Sequence, residues 1–392
     1  MKEIELQSIE PGRYFTEPVY LDDKYILLSP ETPLPEELLE RIREWGFKSV
    51  LTDGDLTEQA PDPNGAEIAG EAPLLNYQAD LKEREQLQET RSFYHEILEY
   101  TEQLFTNFVS KNELPNRAVS EKIKDLIEAV RRRRKFILRL AEMESGKQNY
   151  VVEHSVKTTI LAIAVGNTMK LPTHKLIELG TAALLHEIGM VRLPPQLYMS
   201  QKELTAQERK AITAHTILGF KILKQYSFPM PVCLAVLECR EKLDGTGYPR
   251  GLTEEKISVY AKVIAVCGSF AALTSRRPFR PAYPAHASIL ELLKERGKAY
   301  DETVLRALVV TVSIYPIGSY VLLENGARGM VVDTNTEDAR APNVRVLSGP
   351  DGRIYSEPPT VATTSSEYHI VRALNAEETK ELNRHRSQRT TG

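Results

Sequence analysis

Near the N-terminus, the short apolar run Tyr25 to Ser29 (YILLS) predicts a strand. LPEELLERIREWGF follows, with Leu38, Leu39, Ile42 and Trp45 at helical spacing and Gly46 where a helix would stop. Lys48 to Thr52 (KSVLT) predicts a second strand, so residues 1–60 read as a small strand–helix–strand module. Residues 61–79, rich in Pro, Gly and Ala, read as a linker. From Asp80 to about Val109 the apolar positions Phe93, Ile97, Tyr100, Leu104 and Phe108 advance at helical spacing, giving one long helix with a single apolar stripe. That stripe must be covered, either by the chain's own next domain or by a second copy in a homodimer.

Connecting helices extend to residue 135, and helical patterning dominates residues 136–313. The cationic run Arg131 to Lys135 is framed by Ile127, Val130, Ile137 and Leu140, which makes it the solvated face of a helix. Residues 314–372 change texture. SYVLLENGARGMVVD and NVRVLSGPDGRIYS join β-forming runs through Asn-Gly, Gly-Pro and Asp-Gly turns, a hairpin signature. Residues 373–392 form a polar tail. The expected fold is mainly α: a helical bundle with a small α/β N-terminal domain and a small β-rich C-terminal appendage.

Composition narrows the functional classes. The 392 residues carry 50 Lys+Arg against 54 Asp+Glu, so there is no basic excess of the kind non-specific nucleic-acid binding requires. No apolar run reaches the roughly 18 residues of a membrane span, and the N-terminus has no signal-peptide pattern, so a cytoplasmic protein is expected. Three cysteines, Cys233, Cys239 and Cys267, do not make a disulfide framework in a chain of this length.

The chemistry lies in three histidines and a carboxylate embedded in apolar helical segments. His154 stands in HSVKTTILAIAVGNTM, His186 and Glu187 end LGTAALLHEIGM, and His215 lies in ERKAITAHTILGFKIL. One inward histidine is ordinarily a hydrogen-bonded core residue. Three, with a glutamate whose burial demands compensation, point to a metal ion.

The order HS…HEIGM…H…DGTGYP…FAALTSRRPFR, over roughly Tyr150 to Thr311, resembles the HD-GYP family of metal-dependent cyclic di-GMP phosphodiesterases. The resemblance implies an HD-domain-type bundle and a cluster of two or three metals that supplies hydroxide and neutralises phosphate charge. It places metal ligands on His154, His186, Glu187 and His215, with glutamate standing where the family has aspartate. It also shows departures. The lysine position of the HD motif is Met190, the paired-histidine positions are Cys239 and Arg240, and the aspartate positions of the D-x-x-D-A motif are Gly268 and Ala271. One ligand has lost its side chain, and another has become a permanent cation that would repel a nearby divalent ion.

The expectation is therefore a cyclic di-GMP signalling protein that is catalytically inactive and acts as a nucleotide receptor, its degenerate centre lacking a cofactor or keeping a single Fe, Mn or Zn ion. Arg240 is expected to pair with Glu187 and replace metal charge. Cys239 is open to two readings, zinc thiolate or small buried hydrophobe. Ligand contacts implied by the resemblance fall on Gly247, Tyr248, Arg277 and Arg280, with cyclic di-GMP and other proteins of its signalling system as partners. The alternatives are a protein-contact scaffold and a working phosphodiesterase with a reduced metal centre.

Overall fold

The computed structural model describes residues 2–17, 19–21, 26–28, 33–44, 47–58, 81–134, 137–138, 149–194, 197, 205–275, 282–335, 337–355 and 358–387. The linker expected at 61–79 lies outside them.

The expected strand–helix–strand is present as β4 (Ile26–Leu28), α1 (Glu36–Glu44) and β5 (Ser49–Thr52), inside a larger module. β1 (Lys2–Glu5), β2 (Tyr14–Phe15), β3 (Val19–Tyr20) and β6 (Leu56–Thr57) add to it. The order β1-β5-β3-β4 makes an antiparallel sheet, and β2 pairs separately with β6. β1 leaves little trace in the sequence, because it is only four residues long and its partner lies far along the chain, Ile4 opposite Val50. Leu38, Leu39 and Ile42 of α1 are buried with Phe15, Val19 and Val50. Trp45 and Gly46 fall outside the described residues.

α2 (Leu81–Lys111) carries the predicted stripe. Ile97, Leu104 and Phe108 are buried, and Phe93 and Tyr100 are partly buried, all against the chain's own helical core. Phe108 meets Tyr226 edge-on at 6.0 Å, and the Arg192 guanidinium lies 4.2 Å from the Phe108 ring centre. The stripe is thus spent within the chain.

The core of the bundle is α4 (Tyr150–Thr168), whose residues are buried on all faces from Ser155 to Gly166. A helix apolar all round has no solvent face and must lie at the centre. Around it pack α2, α3 (Asn116–Arg132), α5 (Thr173–Leu185), α9 (Val259–Thr274) and α11 (Glu302–Val312). α6 (Ala206–Thr213), α7 (His215–Gln225), α8 (Met230–Glu238) and α10 (Ala285–Lys294) complete the described helical layer. Asn149 caps α4 by accepting from Val151 N at 2.9 Å, and Thr205 and Glu208 form a capping box on α6. Of the cationic run, Arg134 reaches inward and Arg133 forms a surface ion pair. Arg134 Nη2 donates to Thr311 O at 2.8 Å, and Arg133 pairs with Glu89 at 2.9 Å.

The C-terminal sheet is five-stranded and antiparallel in the order β10-β9-β8-β7-β11, with β7 (Tyr320–Leu323), β8 (Arg328–Asp333), β9 (Asn343–Ser348), β10 (Thr360–Ala362) and β11 (Ile370–Ala373). The Asn325-Gly326 turn closes β7 onto β8 with Gly326 at φ 84°, as its sequence predicts. The tail folds into α12 (Ala376–Ser387), anchored by buried Leu382. No described helix is long and apolar enough to cross a membrane.

Candidate metal centre and nucleotide pocket

α4 delivers His154, the end of α5 delivers His186 and Glu187, and the start of α7 delivers His215. All four are at most 5% exposed. One close approach sets this meeting. A Cβ at Gly189, two residues past Glu187, would lie 2.0 Å from the His215 carbonyl oxygen. Only glycine lets the turn after Glu187 touch the first residue of α7.

The imidazoles are oriented by the backbone. His186 Nδ1 lies 2.7 Å from Ala183 O, and His215 Nδ1 lies 2.7 Å from Ile212 O. Donating from Nδ1 leaves each Nε2 lone pair facing the pocket, the tautomer a metal requires. His186 Nε2 lies 3.3 Å from His154 Nε2 and 3.4 Å from Glu187 Oε1. His154 Nε2 is 3.8 Å from that same oxygen, and His215 Nε2 is 3.7 Å from Glu187 Oε2. The Tyr150 ring stacks on His154 at 5.7 Å.

His154, His186 and Glu187 each offer a ligand atom within 4.8 Å of the others. Glu187 Oε2 and His215 Nε2 are buried acceptors that make no hydrogen bond to any described residue. Acceptors left unpaired inside a protein are costly, and a cation bound among them removes the cost. This donor set fits one divalent ion.

Arg240 supplies a second positive charge. Its Nη2 donates to Glu187 Oε1, as the sequence reading expected. Burial alone would push the Glu187 carboxyl up, but Arg240, His215 and His186 more than offset it and hold it well below its usual range. Arg240 loses solvation on burial, and Glu187 outweighs this and raises it, so the guanidinium stays charged. Burial lowers His215, against the opposing pull of Glu187.

The remaining departures fall where the motif order put them. Burial pushes the Cys239 thiol up to about 12, and Sγ contacts Val236 O at 3.3 Å. The thiol packs among the apolar residues of the helical core. Gly268, on α9, faces the site: a Cβ there would stand 3.9 Å from His186 Nε2 and 3.7 Å from Thr158 Cγ2. Ala271 is buried in the helical core one turn further on. Met190 is half-buried at the start of a single 3-10 turn, and its amide donates to Glu187 O at 2.8 Å.

Tyr248 is brought to the cluster, its ring edge-on to His215 at 6.2 Å. Burial is the main cause that pushes its phenol up to about 12. Its loop is heavily tied. Tyr248 N donates to Arg240 O at 3.1 Å, which ties the two residues together through the backbone. A Cβ at Gly247 would lie 2.3 Å from Lys242 N, which only glycine avoids. Glu241, which carries no signal in the motif order, accepts from Arg250 N at 2.7 Å and Leu252 N at 2.9 Å. Glu238 does likewise for Arg250 Nη2 at 2.5 Å and Ser258 N at 2.9 Å. Both carboxylates serve the loop. Arg277 and Arg280 lie outside the described residues.

The family model for the HD domain matches residues 137–304. Cyclic di-GMP phosphodiesterase PdeB of Borreliella burgdorferi is 28% identical over 337 residues, which is 84% of this chain and 84% of that protein. Cyclic di-GMP phosphodiesterase PA4108 of Pseudomonas aeruginosa is 29% identical over 317 residues, covering 79% of this chain and 75% of that protein. A cyclic di-GMP phosphodiesterase of Thermotoga maritima is 32% identical over 158 residues, 40% of this chain and 43% of its own.

Proposed function

We propose that this HD-domain chain is an HD-GYP-type protein of cyclic di-GMP signalling whose centre is reduced to a single divalent ion. In this reading the protein binds the dinucleotide and hydrolyses it slowly or not at all. The observation that carries it is the Arg240–Glu187 contact: a fixed guanidinium stands on the carboxylate that a metal cluster would share. Names of relatives support the ligand. The exchanged side chains at Arg240 and Gly268 support the loss of the cluster.

His154, His186, Glu187 and His215 would hold the one ion. When bound, such an ion neutralises phosphate charge and lowers the pKa of a water. The protein's own groups do the rest. Arg240, bonded to Glu187 through one nitrogen, has a further buried donor, Nε, that no described residue uses. A guanidinium with a spare donor suits a phosphate oxygen. Tyr248 closes the side of the pocket next to His215, and its protonated phenol offers a neutral donor. Arg277 and Arg280 are proposed as further phosphate contacts from their motif positions alone.

A second reading, a working phosphodiesterase with a one-ion centre, is favoured by the converging unpaired acceptors Glu187 Oε2 and His215 Nε2. Calorimetric titration with cyclic di-GMP, run beside a hydrolysis assay with added manganese, separates the two. Binding without turnover supports the receptor, and rapid conversion to the linear dinucleotide or GMP establishes the enzyme. Absence of binding leaves neither.

A further inference from the structure

His154 and Thr158 lie one helical turn apart on α4, so their side chains share a face. Thr158 is fully buried, and its hydroxyl makes no hydrogen bond to any described residue. Helical threonines commonly satisfy this group on the carbonyl four residues back. The next residue does so, Thr159 Oγ1 donating to Ser155 O at 2.7 Å. Thr158 instead stands beside Gly268 with that hydroxyl unbonded: its Cγ2 and Oγ1 lie 3.7 and 3.8 Å from the point a Cβ at Gly268 would occupy. His186 Nε2 lies 3.9 Å from that same point. A buried hydroxyl without a partner is unfavourable unless a bound species satisfies it. The imidazole facing the same space already presents a lone pair to the candidate ion.

We propose that Thr158 is a ligand-binding residue of the cation site, its hydroxyl supplying a hard oxygen donor on the side where Gly268 brings no side chain. The inference rests on the one-ion reading above. Three imidazoles and one carboxylate leave a divalent ion short of oxygen ligands, and a hydroxyl on the His154 face meets that need. Nothing in the motif order marks this residue, because a threonine within an apolar helix reads as core filling.

The test is calorimetric titration of Mn²⁺ into chelator-stripped full-length protein, comparing wild type with Thr158→Val and Thr158→Ser. Valine keeps the shape and removes the hydroxyl, and serine keeps the hydroxyl. The expected result is about a tenfold weaker Mn²⁺ affinity for Thr158→Val. Thr158→Ser should bind within about threefold of wild type, as expected if the hydroxyl and not the methyl is the donor. Without metal, Thr158→Val should melt no lower than wild type, because it loses an unpaired buried polar group. Wild-type affinity in the valine variant overturns the role of Thr158 and leaves the one-ion reading standing. A lowered metal-free melting temperature, or failure of serine to rescue, makes the hydroxyl structural and overturns the proposal. If wild type takes up no Mn²⁺, the one-ion reading falls together with the inference.

Discussion

Arg240 Nη2 donates to Glu187 Oε1, joining the end of α8 to the end of α5 across the candidate metal centre. Glu187 is 5% exposed, so its charge persists only because cationic and hydrogen-bonding neighbours offset the loss of water. The ion pair with Arg240 compensates the burial of that carboxylate. On the one-ion reading proposed above, a second divalent ion would have to share Glu187 with a guanidinium.

Removing the guanidinium should expose this dependence. Arg240→Ala is expected to lower metal-free stability by about 2–3 kcal/mol, the cost of stranding a buried carboxylate that water reaches only partly. Mn²⁺ should restore much of the loss, since the ion then takes over the compensation. Urea unfolding with and without Mn²⁺ checks both parts. An equal loss in the two conditions would show that the ion does not reach Glu187.

Two glycines near the centre should respond to different degrees. Gly189→Ala forces a methyl to within 2.0 Å of the His215 carbonyl, so the turn or α7 must move. A loss of about 3 kcal/mol is expected, with weaker metal binding because His215 no longer faces Glu187. Gly268→Ala places its methyl at ordinary contact distance, 3.7 Å from Thr158, and should change stability by less than about 1 kcal/mol. Comparing the denaturation midpoints of the two variants decides this.

The thiols offer an independent check on the pocket. Burial raises all three cysteines, Cys239 to about 12. The native protein should therefore give almost no reaction with a thiol reagent at pH 8, and the denatured chain should give three equivalents. Fast reaction of Cys239 in the native state would mean that its thiolate is accessible and available to zinc.

Arg277 tests the nucleotide reading from outside the described residues. If its motif position is a phosphate contact, Arg277→Ala should weaken cyclic di-GMP binding by about 1.5–3 kcal/mol, the usual loss for a charge-assisted bond. Unchanged affinity in the titration would leave that loop with a structural role alone.

The helical bundle and the meeting of His154, His186, Glu187 and His215 were legible because long apolar periodicities bury their inward polar residues wherever they stand. The α2 stripe predicted burial but not the covering partner, which is a tertiary fact: Phe108 found Tyr226 of the same chain. The N-terminal module was half-read, since β2, β3 and β6 are two residues each and owe their existence to pairing rather than to local pattern. Thr158 and Tyr150 escaped for another reason. A threonine and a tyrosine in an apolar helix carry no spacing signal, and only the three-dimensional placement puts one beside Gly268 and the other on His154. Glu238 and Glu241 carry no signal of their own, because their partners, the backbone amides of Arg250, Leu252 and Ser258 and the Arg250 guanidinium, lie up to twenty residues on.

The most direct measurement is the number of divalent ions held per chain. Metal analysis of protein equilibrated with excess Mn²⁺ and then freed of unbound ion should return about one equivalent or less, lost in variants of His186 or Glu187. Two or more equivalents that depend on those residues, found in a protein that still carries Arg240, would contradict the account.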